Sequence, residues 1–293
     1  MEIMNGKWVS QTISEKLKAQ TRELIESNKR VPHLAAVLLG NDGASETYVA
    51  SKIKHCEEIG FKSTLIRLNN DASESELIDI IHTLNTQPDV DGILVQLPLP
   101  NHINEQNILN VIDPEKDVDG FSPINTGRMV LGMPSYIPAT PYGIMLMLEH
   151  YKIETSGKKA VVIGRSNIVG RPMSILLSQS GPYGNCTVTL CHSRTKDLSS
   201  ICLDADIIVA ALGIPGFLKA DMVKPGAVVI DVGITRVADD SKKSGFSIKG
   251  DVDFDAVAQK SSYITPVPGG VGLMTIAGLL MNTYNAYLKR NSL

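Results

Sequence analysis

The 293-residue chain is predicted to be an α/β protein. Two observations predict it. Short, unbroken runs of Val, Ile and Leu recur along the chain, and stretches with room for a crossover helix separate them. Runs that are apolar at every position, rather than at every second one, suit parallel strands buried on both faces by helices. No low-complexity tract and no fixed-period repeat is visible, which sets solenoid architectures aside.

In chain order the expected strands are HLAAVLLG (33–40), TLIRL (64–68), GILVQL (92–97), KAVVIG (159–164), TVTLC (187–191), DIIVAAL (206–212) and AVVIDVG (227–233). The segment 43–60 reads as a helix capped by Ser45, with Val49, Ile53, Cys56 and Ile59 as its buried stripe. At PATPYGIM (138–145), Thr140 is the expected cap and Pro141 suits the first turn of a helix running to about Tyr151. A domain boundary is expected there. A second crossing is expected at TPVPGGVG (265–272), a loop rich in Pro and Gly. The apolar segment 271–281 after it is too short to span a bilayer and continues into Asn282, Asn285 and Lys289, so it reads as a packed C-terminal helix. These breaks alone support two adjacent domains.

Length and composition agree with two ordinary domains: 43% of residues are hydrophobic and 20% charged, as in soluble globular proteins. A net charge of −3 and a pI near 6.1 supply no basic field, so small molecules, not nucleic acids, are the expected partners. Cys56, Cys186, Cys191 and Cys202 form no CxxC pair and have no nearby histidines at zinc-ligand spacing. Reduced thiols, no metal and a cytoplasmic location are expected. The polar residues 1–11 lack an apolar stretch of signal-peptide length.

A dinucleotide site is suggested by KKAVVIGRSNIVGRPMSILL, a buried strand, a turn from Gly164 and a helix beginning around 170–172. Such a turn offers free backbone N–H groups and a positive helix end to a diphosphate. The usual three-glycine fingerprint is absent, since Ser166 and Val169 occupy its later positions and Gly170 follows one residue late. An ordinary turn between strand and helix would read the same way. At the end of the next strand the chain offers Ser193 and Arg194 where an NAD site places an acid, with Arg165 in the preceding turn. That pattern favours NADP, whose 2′-phosphate needs cationic or donor groups, although solvated loop arginines would also look like this.

A second cluster lies earlier. Tyr48 and Lys52 are one helical turn apart, which puts an aromatic ring and an amine together beside the buried stripe. A surface tyrosine packing on a lysine stem is the other reading. Gln96 ends an apolar strand before Pro98 and Pro100, at the carboxyl end where ligands bind open α/β sheets; an amide satisfied by a nearby loop remains its alternative. Asp119 belongs to the acidic segment DPEKDVDGF (113–121), which a solvated turn would equally explain, and no EF-hand spacing runs through these acids.

Taken in order, YVASKIKHCEEIG, VQLPLP, PEKDVDGF, PATPYGIM, VIGRSNIVGRP, CHSRT, DVGI, GDVDF and PVPGGVGLMT resemble the bifunctional methylenetetrahydrofolate dehydrogenase/methenyltetrahydrofolate cyclohydrolase family. The resemblance runs from the first helix to the last. It implies two α/β domains flanking a cleft, the second of them a Rossmann-like nucleotide-binding domain. Residues 1–138 with 272–293 would form the folate-binding catalytic domain, including a returning C-terminal helix, and 139–271 the NADP domain. It also implies oxidation of 5,10-methylenetetrahydrofolate with NADP, hydrolysis of the product to 10-formyltetrahydrofolate, a place in one-carbon metabolism, and a homodimer. At matching positions Tyr48 would stack on the folate, Lys52 would be the catalytic amine, Gln96 its hydrogen-bonding partner, and Asp119 the group holding the pterin. Gly164, Arg165, Ser166, Ser193, Arg194 and Ile234 would meet the cofactor, with Thr275 near the nicotinamide. Leu273 stands where the family commonly has Pro, and Ala139 where it often has Cys. A dehydrogenase lacking the second activity, or a non-catalytic NADP-binding protein, are the competing readings.

Overall fold

Buried runs of Val, Ile and Leu become parallel strands in the computed structural model, which describes residues 1–242 and 245–291. In chain order the elements are β1 (Glu2–Ile3), α1 (Gly6–Glu26), β2 (His33–Leu39), α2 (Gly43–Glu58), β3 (Lys62–Leu68), α3 (Glu74–Thr86), β4 (Gly92–Val95), α4 (Glu105–Val111), α5 (Pro123–Val130) and α6 (Ala139–His150). They continue with β5 (Lys159–Ile163), α7 (Gly170–Ser178), β6 (Thr187–Cys191), α8 (Leu198–Leu203), β7 (Ile207–Ala210), β8 (Val228–Asp231), β9 (Thr235–Ala238), β10 (Phe246–Lys249), α9 (Phe254–Ala258), β11 (Tyr263–Ile264) and α10 (Val271–Arg290). Two units result: Gln11–Ala139 with Ile276–Leu293, and Met1–Ser10 with Thr140–Thr275.

The first of these units carries a three-stranded parallel sheet in the order β3-β2-β4. Successive side chains of a strand point to opposite faces, so β2 serves two cores at once. Leu34, Ala36 and Leu38 face Leu17 of α1, Val49 and Cys56 of α2, and Leu279 and Leu280 of α10. Ala35, Val37 and Leu39 face Leu77 and Ile81 of α3 and Ile108 of α4. Leu38 is almost fully buried, and Leu38→Ala would cost about 2–5 kcal/mol through lost transfer energy and an unfilled cavity.

Two local expectations need correction. The cap of α2 is Asp42, not Ser45: the Asp42 carboxylate accepts from Ser45 N at 2.8 Å, as a cap three residues ahead of the donor should. Helix α6 begins at Ala139, so Thr140 lies within it and its hydroxyl instead meets Thr275 Oγ1 at 2.8 Å.

The other unit has a six-stranded sheet in the order β1-β11-β8-β7-β5-β6, parallel throughout. From β5 the chain moves outward to β6, then crosses back past β5 to β7. The carboxyl ends of β5 and β7 therefore form a switch point, the position at which open α/β sheets bind ligands. Its core joins Val161, Ile163, Ile208, Ala210, Val229 and Ile264 with Cys202 of α8 and Val257 of α9. Residues 1–10 belong to this unit, where Glu2 and Ile3 pair with Tyr263 and Ile264. Asn5 N also donates to the Tyr151 hydroxyl at 2.7 Å. Strands β9 and β10 form an antiparallel ribbon of their own. Among the described residues no helix is long and apolar enough to cross a membrane.

Candidate active site

In the unit of β2, β3 and β4, four polar residues foreseen in the sequence come from three separate segments. Lys52 is 4% exposed on the inner side of α2, taking a place among Val49 and Cys56 that an apolar stripe would reserve for hydrocarbon. Its Nζ donates to Gln96 Oε1 at 3.1 Å and sits 4.7 Å from the centre of the Tyr48 ring, one turn earlier. Gln96 follows β4; its backbone N–H continues the ladder to Val37 O at 2.9 Å and its side-chain NH2 donates to Leu97 O at 2.5 Å. With the NH2 group occupied, the amide oxygen is left to face the amine.

Asp119 stands on a loop whose shape is set by neighbours. Asp117 Oδ1 accepts from Phe121 N at 3.1 Å, and its Oδ2 accepts from Ser122 N at 2.8 Å and Asn125 Nδ2 at 2.9 Å. Gly120 has φ +73, and a Cβ there would lie 2.6 Å from the Ile137–Pro138 backbone. Asn282 of α10 donates to Val118 O and Ile137 O, each at 2.8 Å, so one amide fastens both sides of this loop. The buried amine of Lys116 donates to Leu84 O at 2.8 Å and Gln87 O at 2.6 Å, closing the carboxyl end of α3.

Burial sets the proton affinities. It pushes the Lys52 amine below the ordinary lysine value, and the charge of Asp119 opposes that shift. Burial also raises the Asp119 carboxyl to about 6, against the pull of Lys52 and with a further push from Asp117. An amine that loses its proton more readily than an ordinary lysine, with a neutral hydrogen-bond partner and a carboxylate close by, is equipped for proton transfer.

In the other unit the foreseen cofactor residues lie past strand ends, except Thr275 on α10. Gly164 follows β5 with φ +120, and a Cβ there would strike the Ala211 carbonyl oxygen. A Cβ on Gly170 would strike Gly164 O, so the late glycine does the close-packing work expected of a fingerprint residue. Ser166 Oγ accepts from Val169 N at 3.2 Å and Gly170 N at 3.3 Å, shaping the turn into α7. Ser193 and Arg194 are exposed past the end of β6, the strand whose Cys191 pairs with Ile163 of β5; Arg165 is exposed as well. Ile234 is exposed past the end of β8, and Thr275 lies in the second turn of α10 beside Thr140. No group of His, Cys, Asp or Glu among the described residues is arranged to hold a metal ion.

The sequence reading missed the supports of these residues. Asp117, Lys116 and Asn282 carry no pattern of their own, although the paired acids in KDVDGF hint that one turns inward to its own backbone.

Two family models match the chain: the catalytic domain of tetrahydrofolate dehydrogenase/cyclohydrolase over residues 4–119, and its NAD(P)-binding domain over residues 138–291. A relative from Flavobacterium johnsoniae, bifunctional protein FolD, is 60% identical over 292 residues, covering 100% of this chain and 99% of its own. The crystal structure of a bifunctional FolD methylenetetrahydrofolate dehydrogenase/cyclohydrolase from Campylobacter jejuni superposes with a TM-score of 0.93 at 49% identity, covering 99% of each chain. A dehydrogenase-cyclohydrolase from Trypanosoma brucei, solved with NADP cofactor and an inhibitor, gives a TM-score of 0.92 at 37% identity, covering 98% of this chain and 97% of that one. The chain thus belongs to the tetrahydrofolate dehydrogenase/cyclohydrolase family.

Proposed function

We infer that this chain oxidises 5,10-methylenetetrahydrofolate to 5,10-methenyltetrahydrofolate with NADP and then hydrolyses the product to 10-formyltetrahydrofolate, in one-carbon metabolism. The observation that carries both steps in one protein is the buried Lys52 amine held by Gln96. Hydride transfer needs no proton acceptor, whereas ring opening does.

The nucleotide unit fits the cofactor. Gly164 and Gly170 let the turn after β5 pack directly on the Ala211 and Gly164 carbonyls, the close backbone packing a phosphate-binding turn needs, and the exposed Ser193, Arg194 and Arg165 suit a 2′-phosphate. NADP supplies the hydride acceptor when bound. The role of the chain in that step is alignment. In this reading Gly164, Arg165 and Ser166 receive the phosphates, Ser193 and Arg194 the 2′-phosphate, and Ile234 and Thr275 bound the site towards the nicotinamide. The Asp119 carboxylate accepts hydrogen bonds from the amino-pyrimidine edge of the pterin, and the Tyr48 ring offers a flat face.

For ring opening, a water oxygen bonds to the methenyl carbon and its proton passes to neutral Lys52 Nζ. The carbon–nitrogen bond to N5 then breaks as N5 gains a proton and the new hydroxyl gives up its own, leaving the C=O of the formyl group on N10, with one proton released overall. The cationic substrate itself disfavours a protonated amine, adding to the effect of burial. Gln96 Oε1 holds one N–H and so directs the lone pair without adding charge. We place the protein in the cytoplasm as a homodimer, acting on small molecules with neither nucleic acid nor membrane as partner. Adding methylenetetrahydrofolate and NADP to the purified protein, while following NADPH and methenyltetrahydrofolate separately, tests the reading. NADPH should form faster than methenyltetrahydrofolate accumulates. Stoichiometric accumulation would leave a dehydrogenase alone.

A further inference from the structure

Beneath the cofactor loops lie two carboxylates that no step above uses. Asp231, at the end of β8, is 2% exposed, and Asp251, after β10, is fully buried. Asp231 Oδ1 accepts from Gly233 N at 2.9 Å and Asp251 N at 2.8 Å, and its Oδ2 accepts from Val252 N at 3.0 Å. Asp251 Oδ2 in turn accepts from Leu212 N at 2.6 Å and Gly213 N at 2.9 Å. Its other oxygen is buried with no hydrogen-bond partner and lies against Gly233, where a Cβ would collide with it.

A carboxylate this deep is expensive, and the two amide donors it satisfies are what it secures. They belong to the loop that leaves β7 at the switch point, next to the Ala211 carbonyl that packs on Gly164. The same segment is held again from the backbone, by Gly216 N to Gly250 O and Leu218 N to Asp251 O, both at 2.9 Å. Thr235 Oγ1 reaches Gly213 O at 3.5 Å, so this loop adjoins the one that carries Ile234. Each loop exposes an isoleucine, Ile214 at 50% and Ile234 at 56%.

We propose that Asp251 is a positioning residue for the dinucleotide: by holding the Leu212 and Gly213 amides it fixes the loop that presents Ile214, beside Ile234, to NADP. Asp251 has no exposed surface, so it acts through the loop it holds and not by contact with the dinucleotide. The proposal rests on the cofactor reading above.

The test compares Asp251→Ala and Asp251→Asn with the parent. An asparagine oxygen still accepts from both amides, whereas alanine leaves both unpaired. Asp251→Ala should raise KM for NADP by about tenfold or more, with kcat at saturating NADP within about threefold of the parent. Asp251→Asn should stay within about threefold on both constants, and hydrolysis of added methenyltetrahydrofolate should be unchanged in each variant. A KM for the alanine variant within about twofold of the parent overturns the proposal, as does an asparagine variant as impaired as the alanine one. Should Asp251→Ala not fold, Asp251→Ser takes its place under the same limits. Parental turnover with NADP and with NAD tests the cofactor reading separately. The variants are compared on whichever dinucleotide the parent uses, so the two failures are told apart.

Discussion

Lys52 Nζ donates to Gln96 Oε1 at 3.1 Å, joining a helix and a strand end that lie 44 residues apart in the chain. Because the partner is an amide, the amine is held in place without the charge that would stabilise its ammonium form. Burial then lowers its proton affinity against the opposing charge of Asp119.

Replacing Lys52 by Met keeps most of the apolar stem and removes the amine. Lys52→Met should lower cyclohydrolase turnover by about 100-fold or more, the range for loss of a general base, while hydride transfer falls less. Methenyltetrahydrofolate should accumulate in the combined assay. Near-parental hydrolysis of added methenyltetrahydrofolate would remove Lys52 from the mechanism, and equal loss of both activities would make it a folate-positioning group.

Gln96→Glu reverses the electrostatics of the same contact. A carboxylate beside Nζ favours the ammonium form, so the rising limb of cyclohydrolase activity against pH should move to higher pH, by about one unit or more. Dehydrogenase activity should show no matching displacement. An unmoved limb in the glutamate variant would mean that Lys52 is not the group titrating in the assay.

Asp119 links function to stability. Its carboxyl is raised to about 6 in the folded protein, above the ordinary aspartate value near 4, so between those limits the folded state binds more protons than the unfolded one. The stability associated with that proton is fully present below about pH 4 and is lost as pH rises through about 6, a difference of roughly 3 kcal/mol. Asp119→Asn should flatten this part of the urea-stability profile between pH 4 and 7 and weaken folate binding, leaving NADP affinity nearly intact. A profile as steep as the parent's would assign the slope to other groups.

The nucleotide unit should prefer NADP over NAD by at least about tenfold in kcat/KM, roughly 1.4 kcal/mol. Arg165→Ala should weaken NADP more than NAD. Gly170→Ala, which places a methyl group on the Gly164 carbonyl, should impair use of both dinucleotides while cyclohydrolase turnover persists. Equal kcat/KM for NAD and NADP in the parent would remove the roles given to Ser193 and Arg194.

Strands were legible where burial is two-sided, because every residue of a run such as Ala160–Ile163 must then be apolar. The paired residues of β1 and β11 are too short to show any period, so the packing of residues 1–10 with Thr140–Thr275 was invisible. Tyr48 and Lys52 were legible as a pair through helical spacing, but the depth of Lys52 was not: an amine among core residues carries no sign of its burial in one sequence. Ser45 was mistaken for the α2 cap because Asp42 and Ser45 are both good caps, and only backbone geometry decides between them. Asp251 escaped for a related reason. Its partners are backbone amides, which every residue but proline possesses.

The cysteines are divided between the units: Cys56 in one, and Cys186, Cys191 and Cys202 in the other, all buried and free. Burial pushes the Cys56 and Cys202 thiols up to about 12 and Cys186 to about 11, which leaves almost no reactive thiolate in the native protein. Each unit therefore contains its own concealed alkylation target. Peptide mass spectrometry after exposure to iodoacetamide would time the opening of the two units separately in a single tube, and adding NADP or a folate would reveal which unit each ligand keeps closed.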